Sequence, residues 1–114
     1  MDDSLHRKQD RQSYLIHEEA FNDVERREEI LSKAKSVVAR WIAMHSTEGS
    51  KPSPYWVSWE QKMTAMDFDG LKKFALSSSD EAIAHRQSSP FSACLTSEQK
   101  IKVKDKIRNE FRKP

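Results

Sequence analysis

The sequence predicts an all-α fold: a small bundle of four to five helices built on a central helical hairpin, with a basic amphipathic C-terminal helix. Three observations predict it. The 114 residues include only two glycines, Gly49 and Gly70, too few for a protein of strands and tight turns. No stretch alternates apolar and polar residues between turn dipeptides; the nearest, "KIKVK" at 100–104, sits inside a segment with helical spacing. Elsewhere apolar residues recur at steps of three and four.

Residues 1–12 are polar and aperiodic and read as a flexible N-terminal tail, which leaves 13–114 as a single helical domain. Ser13 is a suitable N-cap for "YLIHEEAF". Asn22 and Glu25 have capping-box spacing, so the helix either breaks and restarts near Asn22 or continues through the polar waist "ERREE". From Ile30 the pattern is clear. Ile30, Ala34, Val37, Trp41 and Met44 fall within about 80° of one another on a helical wheel, and Leu31, Val38 and Ile42 widen the stripe. "HSTEGSKPSP" ends this helix, with Gly49 suited to a left-handed C′ position.

Ser53 as N-cap and Pro54 at the first helical position open the next helix, whose stripe is Trp56, Trp59, Met63 and Met66. Helices 30–45 and 54–66 form the expected hairpin. Asp67 caps a short helix carrying Phe68, Leu71, Phe74 and Ala75. Ser78 and Glu81 have capping-box spacing before "AIAHR". Pro90 makes "QSSPFSACL" an irregular connector. Thr96 and Gln99 form a third capping box before a last helix over 97–112, which is expected to pack across the hairpin through Val103, Ile107 and Phe111.

Apolar residues make up 36% of the chain and charged residues 33%, so the core must come from a few large side chains. Trp41, Trp56, Trp59, Phe21, Phe68, Phe74, Phe91 and Phe111 are the candidates. The single cysteine, Cys94, excludes an internal disulfide and a Cys-rich metal site and fits a reducing compartment. "DDSLHRKQDRQ" after Met1 has no signal-peptide character, and no apolar run approaches the roughly 18 residues of a spanning helix. The expectation is a soluble cytoplasmic protein without membrane contact. Charge is uneven: residues 1–50 carry net −2, residues 51–95 net 0 and residues 96–114 net +4.

The aromatic cluster in "SPYWVSWEQKM" has two readings. Trp56, Trp59, Met63 and Met66 on one stripe read as core, whereas Trp and Met are also enriched where partners meet. Tyr55, at the stripe's edge, is the aromatic best placed to anchor a partner. The last helix sets Lys102, Lys106, Asn109, Arg112 and Lys113 opposite its apolar stripe. With Tyr55, these are the expected contact residues for a protein partner or for phosphate.

Chemistry-bearing patterns are sparse. His6, His17, His45 and His85 are scattered with no i,i+4 pair, so no metal is expected, and "HEE" at 17–19 reads as a solvated helix face. Cys94 has no evident basic partner and reads as a small buried hydrophobe. "LKKFALSSSDEAIAHR" is a poor helix-turn-helix, with His85, Arg86 and Gln87 as its only recognition face. There is no glycine-rich phosphate loop, and no cofactor is expected.

The sequence therefore points to a non-enzymatic small accessory or regulatory protein that binds another protein through a helical surface. The alternative is a nucleic-acid-binding protein using the basic C-terminal helix. The 30–44 stripe, about 160° wide, exceeds what one neighbouring helix covers and leaves a homo-oligomer open.

Overall fold

The computed structural model describes residues 3–47 and 51–112. They form six α-helices: α1 (Asp3–Asn22), α2 (Arg27–Thr47), α3 (Pro54–Ala65), α4 (Phe68–Ala75), α5 (Asp80–Arg86) and α6 (Ser97–Glu110). Short 3-10 turns, Val24–Arg26 and Pro90–Ala93, join α1 to α2 and precede α6. No strand occurs among the described residues. The all-helical fold stands, with six helices where four to five were expected. The loop position of Gly49 lies outside the described residues.

The extra helix comes from a break after Asn22. Asp23 takes a bent backbone (φ −84°, ψ 67°), and the Arg26 amide bonds back to the Asp23 carbonyl three residues away at 3.1 Å. That tightening redirects the chain, so Phe21 and Ile30 both enter the core. The expected Asn22–Glu25 box is not what holds the turn. Arg26 does, bonding to Asp23 at 3.0 Å and Glu29 at 2.8 Å.

α1 also starts at Asp3, well before Ser13, so most of the segment read as a tail is helix. Its polar side chains have distant partners. Arg11 grips Glu110 with two bonds of 2.9 Å, and the Gln87 side chain donates to Asp10 at 2.9 Å.

Local caps fall close to expectation. Ser53, Asp67 and Thr96 each accept a backbone N–H at the start of their helices, and Thr96 with Gln99 closes a full capping box. α5 is capped by Ser79, one residue beyond Ser78. Pro90 opens a 3-10 turn, because proline at a first helical position loses no hydrogen bond.

α2 and α3 pack together as the expected hairpin. Ile30, Ala34 and Val38 of α2 meet Trp59 and Met63 of α3 in the main core, with Phe21, Phe68, Leu71, Ala75, Phe91 and Cys94. Trp59 is fully buried, and its indole N–H donates to the His85 carbonyl at 2.9 Å. The stripe is therefore core at its centre. Its ends are not: Trp56 is half-buried against Trp41 (ring centroids 5.4 Å apart), and Met66 and Met44 are exposed.

α1 is the central helix. Leu15 and His17 are two residues apart and so point to opposite sides. His17 and Phe21 enter the main core region, stacking toward Trp59 and Phe91. Leu15 and Ala20 form a second cluster with Leu95, Val103 and Ile107. α6 thus packs on α1, not across the hairpin. The two helices run antiparallel, since Arg11 meets Glu110 while Asp23 meets Gln99. Phe111, expected to dock, caps the helix end and is 36% exposed.

Candidate partner-binding face

α6 owes its position to local and distant signals together. The Thr96 box fixes its start, and burial of Val103 and Ile107 fixes which side faces α1. Its cations then fall on two flanks.

On one flank, Lys102 and Lys106 both reach the Glu19 carboxylate of α1, at 3.0 and 3.7 Å. Glu19's side chain is only 13% exposed, so it is held between them. Asp23 and Gln99 join this hollow, which is about 350 Å³ and balanced in charge rather than basic. Asn109, one turn on from Lys106, is exposed and does not line the hollow, and Arg112 lies exposed just beyond the end of α6. Lys113 lies outside the described residues. Tyr55 is 38% exposed, and its ring stands edge-on to His85 of α5 at 5.0 Å. It belongs with the hairpin side of α1, while α6 covers the other side. The structure therefore gathers Lys102 and Lys106 on Glu19 and leaves Tyr55 apart.

The other flank was not singled out in the sequence. Lys100, Lys104 and Arg108 recur at i, i+4, i+8 and face the outer side of α1, where Lys8 and Gln12 stand. Two adjoining hollows lie between the helices. One, about 220 Å³, is lined by Gln12, Ile16, Ser92, Leu95, Lys100, Val103 and Lys104. The other, about 290 Å³, is lined by Lys8, Gln12, Lys104, Ile107 and Arg108. Arg108 has only a long pair with Asp105, at 3.8 Å. Lys8, Lys100 and Lys104 make no ion pair with another described residue. The spacing of Lys100, Lys104 and Arg108 was legible; Lys8, which completes the site, sat in the segment read as tail.

The residues that suggest catalysis are enclosed. His17, read as solvent-facing, is 0% exposed. Its Nδ1–H donates to the Ser13 carbonyl at 2.7 Å, because a carbonyl can only accept. Nε2 therefore accepts from the Ser89 hydroxyl, also at 2.7 Å. Burial pushes this imidazole down to about 4, despite the backbone bond, and the nearby Arg86 charge adds to the shift. Ser89 meanwhile accepts the Phe91 amide at 3.1 Å as a cap. His85 repeats the arrangement, with Nδ1 on the Glu81 carbonyl and Nε2 on the Ser58 hydroxyl.

Burial pushes the Cys94 thiol up to about 11, so thiolate is scarce at neutral pH. Arg86 is buried and donates to the Ala75 and Ser77 carbonyls, both at 2.8 Å, closing the end of α4. With His85 and Arg86 buried and Gln87 bound to Asp10, α5 offers no recognition face to a DNA groove. Among the described residues, no group of three or more His, Cys, Asp or Glu could hold a metal ion. No helix among them is long and apolar enough to cross a membrane.

Compared with known proteins, the chain matches no family model, no curated protein and no solved structure.

Proposed function

We propose that this chain is a non-enzymatic accessory or regulatory protein that acts by binding another protein through a helical surface. That surface is the outer side of α6 with the adjoining face of α1. One observation carries the reading: Ile101, Lys104 and Arg108, at i, i+3 and i+7, share one outward side of α6. Ile101 is 59% exposed, a β-branched apolar residue with Lys104 one turn on and Glu98 and Asp105 also beside it, on a helix whose other side is already docked. A lone exposed apolar residue needs no explanation. One placed beside the row of Lys104 and Arg108 gives a partner both an anchor and a charge pattern. The sealed surroundings of His17, Ser89 and Cys94 support a binding role over a catalytic one. The single buried thiol supports a cytoplasmic setting.

The runner-up is nucleic-acid binding by the same helix, and the row Lys100, Lys104 and Arg108 favours it. Against it, Glu19 sits between Lys102 and Lys106, where a phosphate would meet a carboxylate.

The test is a photo-crosslinking amino acid placed at Ile101, with one at exposed Lys35 on α2 as control, irradiated in extract of the cells that make the protein. A nuclease-resistant protein adduct from Ile101 and not from Lys35 is expected. No adduct at Ile101, or one that nuclease removes, would contradict the reading. An adduct of twice the chain's mass would make the partner a second copy.

A further inference from the structure

We propose that the groove between α1 and α6 takes an acidic amphipathic helix of a protein partner, its apolar residues against Ile16 and its carboxylates between Lys8, Lys100, Lys104 and Arg108. This rests on the reading of that face as a protein-binding surface, and adds the chemistry of what it binds.

The two hollows share Gln12 and Lys104 and so form one continuous groove. Its α1 wall runs from Lys8 to Ile16, which at 1.5 Å per residue is about 12 Å, or just over two helical turns. Cations stand on both walls, Lys8 on α1 and Lys100, Lys104 and Arg108 on α6. Successive cations on α6 are four residues apart, about 5–6 Å, the distance between acidic side chains at i and i+4 on a facing helix. None of the lysines is held by a carboxylate of its own chain among the described residues, so at the lysines a partner's carboxylate displaces no internal pair; Arg108 has a long one with Asp105, at 3.8 Å.

The floor decides between occupants. It is aliphatic, from half-buried Ile16 with buried Leu95, Val103 and Ile107 behind it, and has no aromatic ring on which a base could stack. Ile16 is the half-buried residue at this groove, so an apolar side chain laid there makes a contact that a phosphate backbone would not make.

Fluorescence anisotropy tests this with three labelled probes on the full chain. One is a helical peptide of about 16 residues with Leu at i, i+4, i+7 and Glu on both flanks. The second is the same peptide with Lys in place of Glu, and the third is a short random DNA duplex. The acidic peptide should bind at least about tenfold tighter than the basic one, with affinity falling as salt rises. Lys104→Glu/Arg108→Glu should weaken it by at least about tenfold, while Lys102→Gln/Lys106→Gln changes it by less than about threefold. If the reversed pair lowers the melting temperature, Lys104→Gln/Arg108→Gln replaces it.

Equal affinity for the two peptides, or indifference to Lys104 and Arg108, overturns the proposal. So does duplex binding that depends on Lys104 and Arg108 while the acidic peptide fails. A protein adduct at Ile101 alongside a silent acidic peptide would retain the surface and remove this occupant.

Discussion

Replacing His17 by glutamine should flatten the acid side of the stability curve. Native His17 has no exposure to water and stays neutral until the pH nears about 4, whereas in the unfolded chain it protonates near its ordinary value of about 6.5. Between those values the unfolded state binds more protons than the native state, so stability falls as pH falls. The contribution is whole above about pH 7, and about 3 kcal/mol is lost once the pH is below the native value. Between pH 7.5 and pH 5 the same linkage gives a loss of about 2 kcal/mol, or about 8 °C in Tm for a chain of this length. The assay is urea unfolding followed by Trp fluorescence at both pH values. Glutamine does not titrate, so the wild-type loss should exceed the variant's by about 2 kcal/mol. Other groups titrate alike in both proteins and cancel. Parallel losses in the two proteins, or an imidazole that titrates near 6.5 in the native state, would refute the reasoning.

Other perturbations have equally definite outcomes. Trp59→Ala empties the centre of the main core and removes the indole bond to the His85 carbonyl, and should cost about 3–5 kcal/mol in urea unfolding; a loss under about 1 kcal/mol would contradict its burial. Thr96→Ala removes the cap of α6 and should cost about 1 kcal/mol, read as a lower Tm. Cys94 should resist a thiol-specific disulfide reagent at pH 8 in the native protein and react at once in denaturant, since burial raises its pKa to about 11; rapid native labelling would contradict that. Arg11→Ala should weaken α1 only slightly, by up to about 1 kcal/mol, because its pair with Glu110 is exposed; hydrogen exchange along residues 7–12 would report it.

What the sequence shows of this fold is what depends on neighbours in sequence. The Thr96–Gln99 box, the Ser53–Pro54 start and the Asp67 cap each involve residues within three positions of one another, and all three are in place. The hairpin follows from two apolar stripes joined by a short loop. α1 was legible only in part because its first turns hold through Arg11–Glu110 and Asp10–Gln87, contacts 99 and 77 residues apart. Val103 and Ile107 showed that α6 docks by that side, but a stripe does not name the helix it meets. His17 carries glutamates on both following positions, and charge so close in sequence suggested solvent; a helix packed on two sides buries one position while its neighbours stay partly wet.

The candidate face was legible to the same extent. Residues opposite the apolar stripe were taken as the basic surface, which pointed to Lys102 and Lys106. Only the arrival of Glu19 from α1 balances that flank, and only the arrival of Lys8 completes the other. Both depend on the packing of α1 on α6.

The most direct measurement of the binding face is the cross-link yield at Ile101 in the wild-type background against the Lys104→Glu/Arg108→Glu background, with Tm recorded for both. A protein adduct that disappears in the reversed background while Tm holds is the expected result. An adduct of equal yield in both, or none in either, would contradict α6 as the surface through which this protein binds another.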